Sequence, residues 1–137
     1  MDRHSTAILL ASLAPMTLGA CVTPVPSDAY GLAGRSWKIV SVNKQDLSDH
    51  DDFTIRFTGK RIEGRFGCLT FDTSYSITDD IIRTAPYEIK GEPCTGEMME
   101  EVGAALLQSG MTLQSVNDGV VLLNPPTSIF LIPKSPL

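Results

Sequence analysis

The chain has 137 residues, a length that supports one domain and leaves no room for a second of ordinary size. Hydrophobic residues make up 42% and charged residues 20%, the balance of a globular protein. The formal net charge is -5 and the basic residues are scattered, Lys60-Arg61 being the only adjacent pair. Binding along a phosphate backbone needs a clustered basic face, so nucleic acid is not expected as a partner.

The first twenty residues differ from the rest. Arg3 and His4 stand near the start, an apolar run extends from Ala7 to Ala14, and Leu18-Gly19-Ala20-Cys21 follows. A positive start, a short apolar stretch and small residues before a cut site have the form of a secretory signal. The apolar run is shorter than the roughly 20 residues that span a bilayer. Leu18-Gly19-Ala20-Cys21 also resembles the lipobox of bacterial lipoproteins, in which a branched apolar residue and two small ones precede the cysteine that receives lipid. That resemblance implies a signal peptide over residues 1–20, cleavage before Cys21 and lipid on Cys21. Three cysteines are an odd number for an exported chain. With Cys21 lipidated, Cys68 and Cys94 remain as a pair, and in an oxidising compartment such a pair forms a disulfide. Two buried free thiols are the alternative. A metal site is the weaker one, since no CxxC or nearby histidine completes it.

Residues 21–34 form the expected tether, holding Pro24, Pro26, Gly31 and Gly34 without an apolar period. The domain is expected over residues 35–137 and reads as short strands between turns. Trp37 to Val42 is rich in strand formers, and Phe53, Ile55 and Phe57 alternate onto one face. Thr58-Gly59-Lys60 predicts a turn and Arg61 to Phe66 the partner strand, with Gly64 marking a bulge or a close backbone approach. Asp79-Asp80 predicts a turn between strands 74–78 and 81–84.

From Thr95 to Gln108 the period changes. Met98, Val102, Ala105 and Leu106 fall at helical spacing, with Thr95 as N-cap, Glu97, Glu100 and Glu101 near the positive end of the dipole, and Gly110 beyond the C-terminus. Gly103 inside such a helix costs about 1 kcal/mol against alanine. Strands then resume at 111–116 and 120–123, joined by Asn117-Asp118-Gly119, and at 128–132 after Pro125-Pro126. The expected fold class is therefore mainly β: an antiparallel meander or lipocalin-like barrel of about eight short strands with one α-helix, closed or nearly closed to protect its edges.

With these elements in place the chain resembles the META/HslJ-like domain of bacterial envelope proteins. The resemblance rests on Trp37 in the first strand, on Gly64-Arg65-Phe66-Gly67-Cys68-Leu69-Thr70-Phe71 followed by Tyr75, on Cys94 before the helix, and on Val121-Leu122-Leu123 with Phe130-Leu131. It covers roughly residues 34–133. Leu69 stands where the family often has asparagine, and Thr73 where glycine is common. The resemblance implies a compact antiparallel β domain with one helix, carried on lipoproteins and linked to envelope stress, drug tolerance and motility. It offers no catalytic residues.

Chemistry-bearing residues are few. Asp46, Asp49, His50, Asp51 and Asp52 gather hard oxygens that could hold a cation, but the EF-hand spacing is absent and a solvated loop explains them as well. His50 is the only histidine beyond the signal, with no nucleophile placed beside it by sequence. No catalytic residue, metal or cofactor is expected. The expected partners are a membrane, through lipid on Cys21, and an envelope protein, with residence at the periplasmic face of the outer membrane. The other reading is a small-ligand-binding β-barrel, since a barrel of eight strands can hold one small molecule or fill itself with side chains.

Overall fold

A computed structural model describes residues 30–134. The expected signal, Cys21 and most of the tether lie outside these residues. The sheet contains β1 (Arg35–Val42), β2 (Gln45–Asp46), β3 (Phe53–Thr58), β4 (Arg61–Phe66), β5 (Leu69–Thr78), β6 (Ile81–Thr84), β7 (Met111–Val116), β8 (Gly119–Asn124) and β9 (Thr127–Pro133). All the strand pairs are antiparallel. Their order is β2-β1-β3-β4-β5-β6-β7-β8-β9, and β1 also pairs with β9. That last pairing closes an eight-strand barrel, with the two-residue β2 attached to the far end of β1. The fold is mainly β with one helix as expected, and of the forms left open the closed barrel is the one observed.

Alternation fills the barrel. Phe53, Ile55 and Phe57 of β3, Ile62 and Phe66 of β4, and Leu69, Phe71, Thr73 and Tyr75 of β5 point inward and are buried. Trp37 and Ile39 share the inner face of β1, after which the register with β9 shifts between Ile39 and Ser41. This bulge changes the phase of the strand, so Val42, not Ser41, is the next buried residue. The carbonyl freed near the bulge is used: Leu47 N–H donates to Val40 O at 2.8 Å.

The turns are short and each has its local cause. Gly59, Asp79 and Asp80 take positive φ in the two-residue links β3–β4 and β5–β6, the conformation that primed hairpin turns require. Gly64 marks a close approach, as its absent side chain leaves room for the Phe71 ring, whose Cε1 would stand 2.2 Å from a Cβ there. In the β7–β8 hairpin Asn117-Asp118 alone make the turn, and Gly119 opens β8. A Cβ at Gly119 would lie 1.8 Å from the Leu131 carbonyl, so the glycine serves packing against β9. Pro125-Pro126 forms the β8–β9 turn, with pairing resuming at Asn124 and Thr127.

Two boundaries differ from expectation. The expected tether reaches into the domain: Leu32 is fully buried, Ala33 bridges Phe57, and Leu32 O accepts from Trp37 Nε1 at 3.4 Å. The helix α1 spans Met98–Leu106 and continues as a 3-10 turn over Leu107–Ser109, shorter than the expected 95–108. Its buried face is Glu100, Gly103, Ala104 and Leu107, whereas Met98 is 74% exposed and Ala105 is exposed. The anticipated stripe of Met98, Val102, Ala105 and Leu106 was rotated off the true face. The helix packs on β4 and β5 through its smallest residues, because Phe66 already occupies the space: a Cβ on Gly103 would stand 2.6 Å from the Phe66 ring.

The single tryptophan sits where the barrel core meets Leu32. Trp37→Ala is expected to destabilise the domain by about 3–5 kcal/mol, read by denaturant unfolding. The native fluorescence maximum should be blue-shifted and move red on unfolding.

Candidate functional site

Two polar clusters surround the entry to α1, and both depend on the loop that brings the chain from β6 to the helix. This loop, residues 85–97, is held along β5. Ala85 N–H donates to Ser74 O at 3.0 Å, and Thr73 Oγ1 donates to Ala85 O at 3.1 Å. Thr70 and Lys90 exchange backbone hydrogen bonds of 3.0 and 2.8 Å. Tyr87 stacks on Phe71 with ring centroids 4.3 Å apart and donates its hydroxyl to Ala104 O at 2.6 Å. Burial pushes the Tyr87 hydroxyl pKa upward.

At the end of the loop Cys68 and Cys94 are joined in a disulfide, with Cα atoms 5.7 Å apart. The expected pairing is thus the one present. It ties the β4–β5 turn to the end of the loop that leads into α1, across a sequence separation of 26. In the chain-entropy picture a loop of that size contributes roughly 3–4 kcal/mol.

Behind the disulfide lies Glu100, fully buried. Its Oε1 accepts from Cys68 N–H at 2.9 Å and Cys94 N–H at 3.0 Å. Its Oε2 accepts from Thr95 N–H at 2.9 Å and from the Thr95 hydroxyl at 2.5 Å. Burial alone would raise the Glu100 pKa. The Thr95 hydroxyl and the N–H groups of Cys68, Thr95 and Cys94 outweigh it and bring the carboxyl down to about 2. Glu100 is the third residue of α1, where an acidic side chain can reach back to the N–H groups preceding a helix. Thr95 is not the N-cap expected from sequence: the cap is Glu97, without a side-chain hydrogen bond, and Thr95 Oγ1 accepts from Glu97 N–H at 3.2 Å. Gly67 completes the arrangement. Its φ is +67°, and a Cβ there would meet the Glu100 carboxyl at 2.6 Å.

The second cluster lies on the outer side of the helix start. Leu47 is fully buried and fixes the β1–β3 loop, so His50 is half-buried against Phe53, ring centroids 5.4 Å apart. His50 Nδ1 is 3.8 Å from Asp52 Oδ1, and Nε2 is 3.3 Å from Glu97 Oε1. Gln45 Nε2 donates to Glu97 Oε2. The other acidic residues of the loop diverge. Asp46 Oδ1 accepts from Ser48 N–H at 2.8 Å, and the Ser48 hydroxyl and N–H hold the Asp46 carboxyl below its ordinary pKa. Asp51 pairs with Lys38 at 3.6 Å. The loop therefore supports neighbouring elements, and its carboxylates do not converge on one point.

Among the described residues, one group of three potential metal ligands comes together: Cys68, Cys94 and Glu100. Here both sulfurs are bonded to each other and the carboxylate is engaged by four donors, so the group is a structural joint. Glu100 was legible in sequence only as one of three acidic residues near a helix start. Nothing in its spacing shows that it alone turns inward.

A closed antiparallel barrel, stapled by one disulfide and sealed by one helix through a buried carboxylate, defines a small β-barrel domain by fold. The META domain family matches residues 31–128, and the chain belongs to that family. Two solved structures are similar in fold. A protein from Burkholderia xenovorans solved by NMR aligns with a TM-score of 0.62 at 14% identity, over 99% of this chain and 100% of that one. A second protein solved by NMR aligns with a TM-score of 0.61 at 16% identity, over 72% of this chain and 87% of that one. Comparison with the curated proteins gives no match.

The Glu100 carboxyl titrates at about 2 in the folded chain against an ordinary 4.5, so the folded state binds its proton more weakly. Its contribution is fully present above pH 4.5 and is lost as pH falls toward 2. Glu100→Gln puts an amide donor among N–H donors and should cost about 2–4 kcal/mol at neutral pH. Urea unfolding from pH 7 down to 2 should show a steep acid loss in the wild-type chain and a flatter profile in the variant.

Proposed function

We propose that the chain is a lipid-anchored accessory protein of the bacterial cell envelope, which acts by binding and has no catalytic activity of its own. The observation that carries this reading is cysteine usage. Cys68 and Cys94 are taken up in a disulfide, which leaves Cys21 single, directly after the lipobox-like Leu18-Gly19-Ala20. A structural disulfide suits an oxidising compartment, and a signal with a lipid-accepting cysteine leads to one. The reading places the domain at the periplasmic face of the outer membrane, with the lipid as its membrane contact and an envelope protein as partner. A role in envelope stress follows the family resemblance.

The arrangement of polar groups supports binding over catalysis. A nucleophilic mechanism needs an imidazole nitrogen free to take a proton from a neighbouring hydroxyl or thiol. Both nitrogens of His50 face carboxylates. The barrel interior supports action at the surface over a ligand in the lumen, because Trp37, Phe53, Phe57, Phe66 and Phe71 meet there among apolar residues of all eight barrel strands.

One complementation experiment tests both parts. In a strain lacking the protein, Cys21→Ser should fail to incorporate a labelled fatty acid, accumulate as precursor and complement poorly. The combined His50→Gln and Glu97→Gln variant should be processed and complement fully. Normal acylation of Cys21→Ser would overturn the anchor. A folded His50/Glu97 variant that behaves like the deletion would overturn the non-catalytic reading.

A further inference from the structure

The basic residues are scattered in sequence, but the barrel gathers several of them. A groove of about 400 Å³ runs across the outer face of β1, β3, β4 and β5, and Arg56, Arg65, Lys90 and Lys134 line it, with Glu63 and Asp72. Four cations against two carboxylates give a local excess of +2, in a chain whose formal net charge is -5. Strand register explains the gathering. Arg56 is directly opposite Glu63, and Arg65 is two residues further along β4, so the two arginines are diagonal neighbours on one face. Lys90 is placed beside Thr70 by its backbone bridge, and Lys134 beside Ser36 by the hydrogen bond from its N–H to Ser36 O.

The pairing within this face is incomplete. Arg61 donates Nε and Nη2 to Asp72 Oδ1 at 3.0 and 2.7 Å, which consumes one of the two carboxylates. Arg65 Nε donates to Gly67 O at 3.1 Å, which orients its guanidinium and leaves its terminal nitrogens. Among the described residues Arg56, Lys90 and Lys134 have no ion pair within 4.0 Å, although Glu63 faces Arg56 across the ladder. The like charges directly opposite in the ladder are Glu63 and Asp72, and Arg56 and Arg65 flank Glu63, so the cations of the groove also balance that acidic pair. Charges alternate along β4 as Arg61, Glu63 and Arg65, and the cationic excess of the groove comes from Arg56, Lys90 and Lys134 around that row.

We infer that this groove is a binding site for a small polyanion, a compact molecule bearing two or more phosphate or carboxylate groups. Arginine forks match such oxyanions in two-pronged geometry, and the two lysines supply point charges at the rim. The groove volume is that of a small-ligand site. The inference does not depend on the lipid anchor.

The test uses the full-length chain carrying Cys21→Ser, so that no lipid is attached, and inorganic pyrophosphate as the probe at low ionic strength. Amide signals of Thr54, Arg56, Arg65, Thr70 and Lys90 should shift saturably in a two-dimensional NMR titration. Arg56→Gln with Arg65→Gln should weaken the apparent affinity at least about tenfold, the loss of one charged contact or more. Lys90→Gln with Lys134→Gln is the second variant and should weaken it as well. Arg83→Gln, outside the groove, should leave it unchanged. Signal dispersion reports that each variant is folded. Non-saturable shifts, or equal weakening by Arg83→Gln, would overturn the site. Binding to vesicles of phosphatidylglycerol with none to pyrophosphate would overturn the small-ligand assignment in favour of a lipid surface.

Discussion

The carboxylate of Glu100 is buried between the barrel and its helix, and four donors converge on its two oxygens. An isolated charge there would be expensive to bury, and it is tolerable only because the hydrogen bonds replace its water. Those donors come from separate parts of the chain: Cys68 from the β4–β5 turn, Cys94 and Thr95 from the end of the long loop. The carboxylate therefore fixes the helix start, the loop end and the strand turn with respect to one another. The Cys68–Cys94 disulfide joins two of these pieces, the strand turn and the loop end, from outside. One constraint is covalent and limits the unfolded chain; the other is electrostatic and favours the folded one.

Other choices in the sequence follow from this joint. Gly67 must be glycine because the carboxylate lies against its Cα and its φ is positive. The helix must present Gly103 to Phe66, because the depth at which Glu100 reaches its donors brings the helix backbone down onto the ring. An intrinsic helix cost of about 1 kcal/mol at that glycine is offset by close packing. Tyr87 closes the remaining gap, its ring on Phe71 and its hydroxyl on Ala104 O of the helix.

The strands were readable because each hairpin carries its own signal. Period-two alternation in β3 and the positive-φ turn residues of the β3–β4 and β5–β6 links state their conformation locally. Even Gly64 could be marked as a close approach before Phe71 was known to fill the space. The helix face was not readable. Apolar spacing favours Met98, Val102, Ala105 and Leu106, but the surface that receives the helix selects small residues and one carboxylate. Hydrophobic periodicity cannot rank a glycine above a methionine, since that ranking depends on Phe66, thirty-seven residues earlier in the chain. The outer groove was hidden for a similar reason. Arg56, Arg65, Lys90 and Lys134 look scattered along the chain, and only strand register and the Thr70–Lys90 bridge make them neighbours.

The dependence of the helix-barrel joint on an ionised Glu100 can be measured directly by following the side-chain carboxyl carbon of Glu100 by NMR as the folded chain is titrated with acid. The carboxyl should remain ionised well below pH 4.5 and titrate at about 2, with the amide signals of Cys68, Cys94 and Thr95 moving in the same step. A carboxyl that titrates near 4.5 while those amides stay in place would contradict the joint, since the hydrogen bonds would then stand without the charge that organises them.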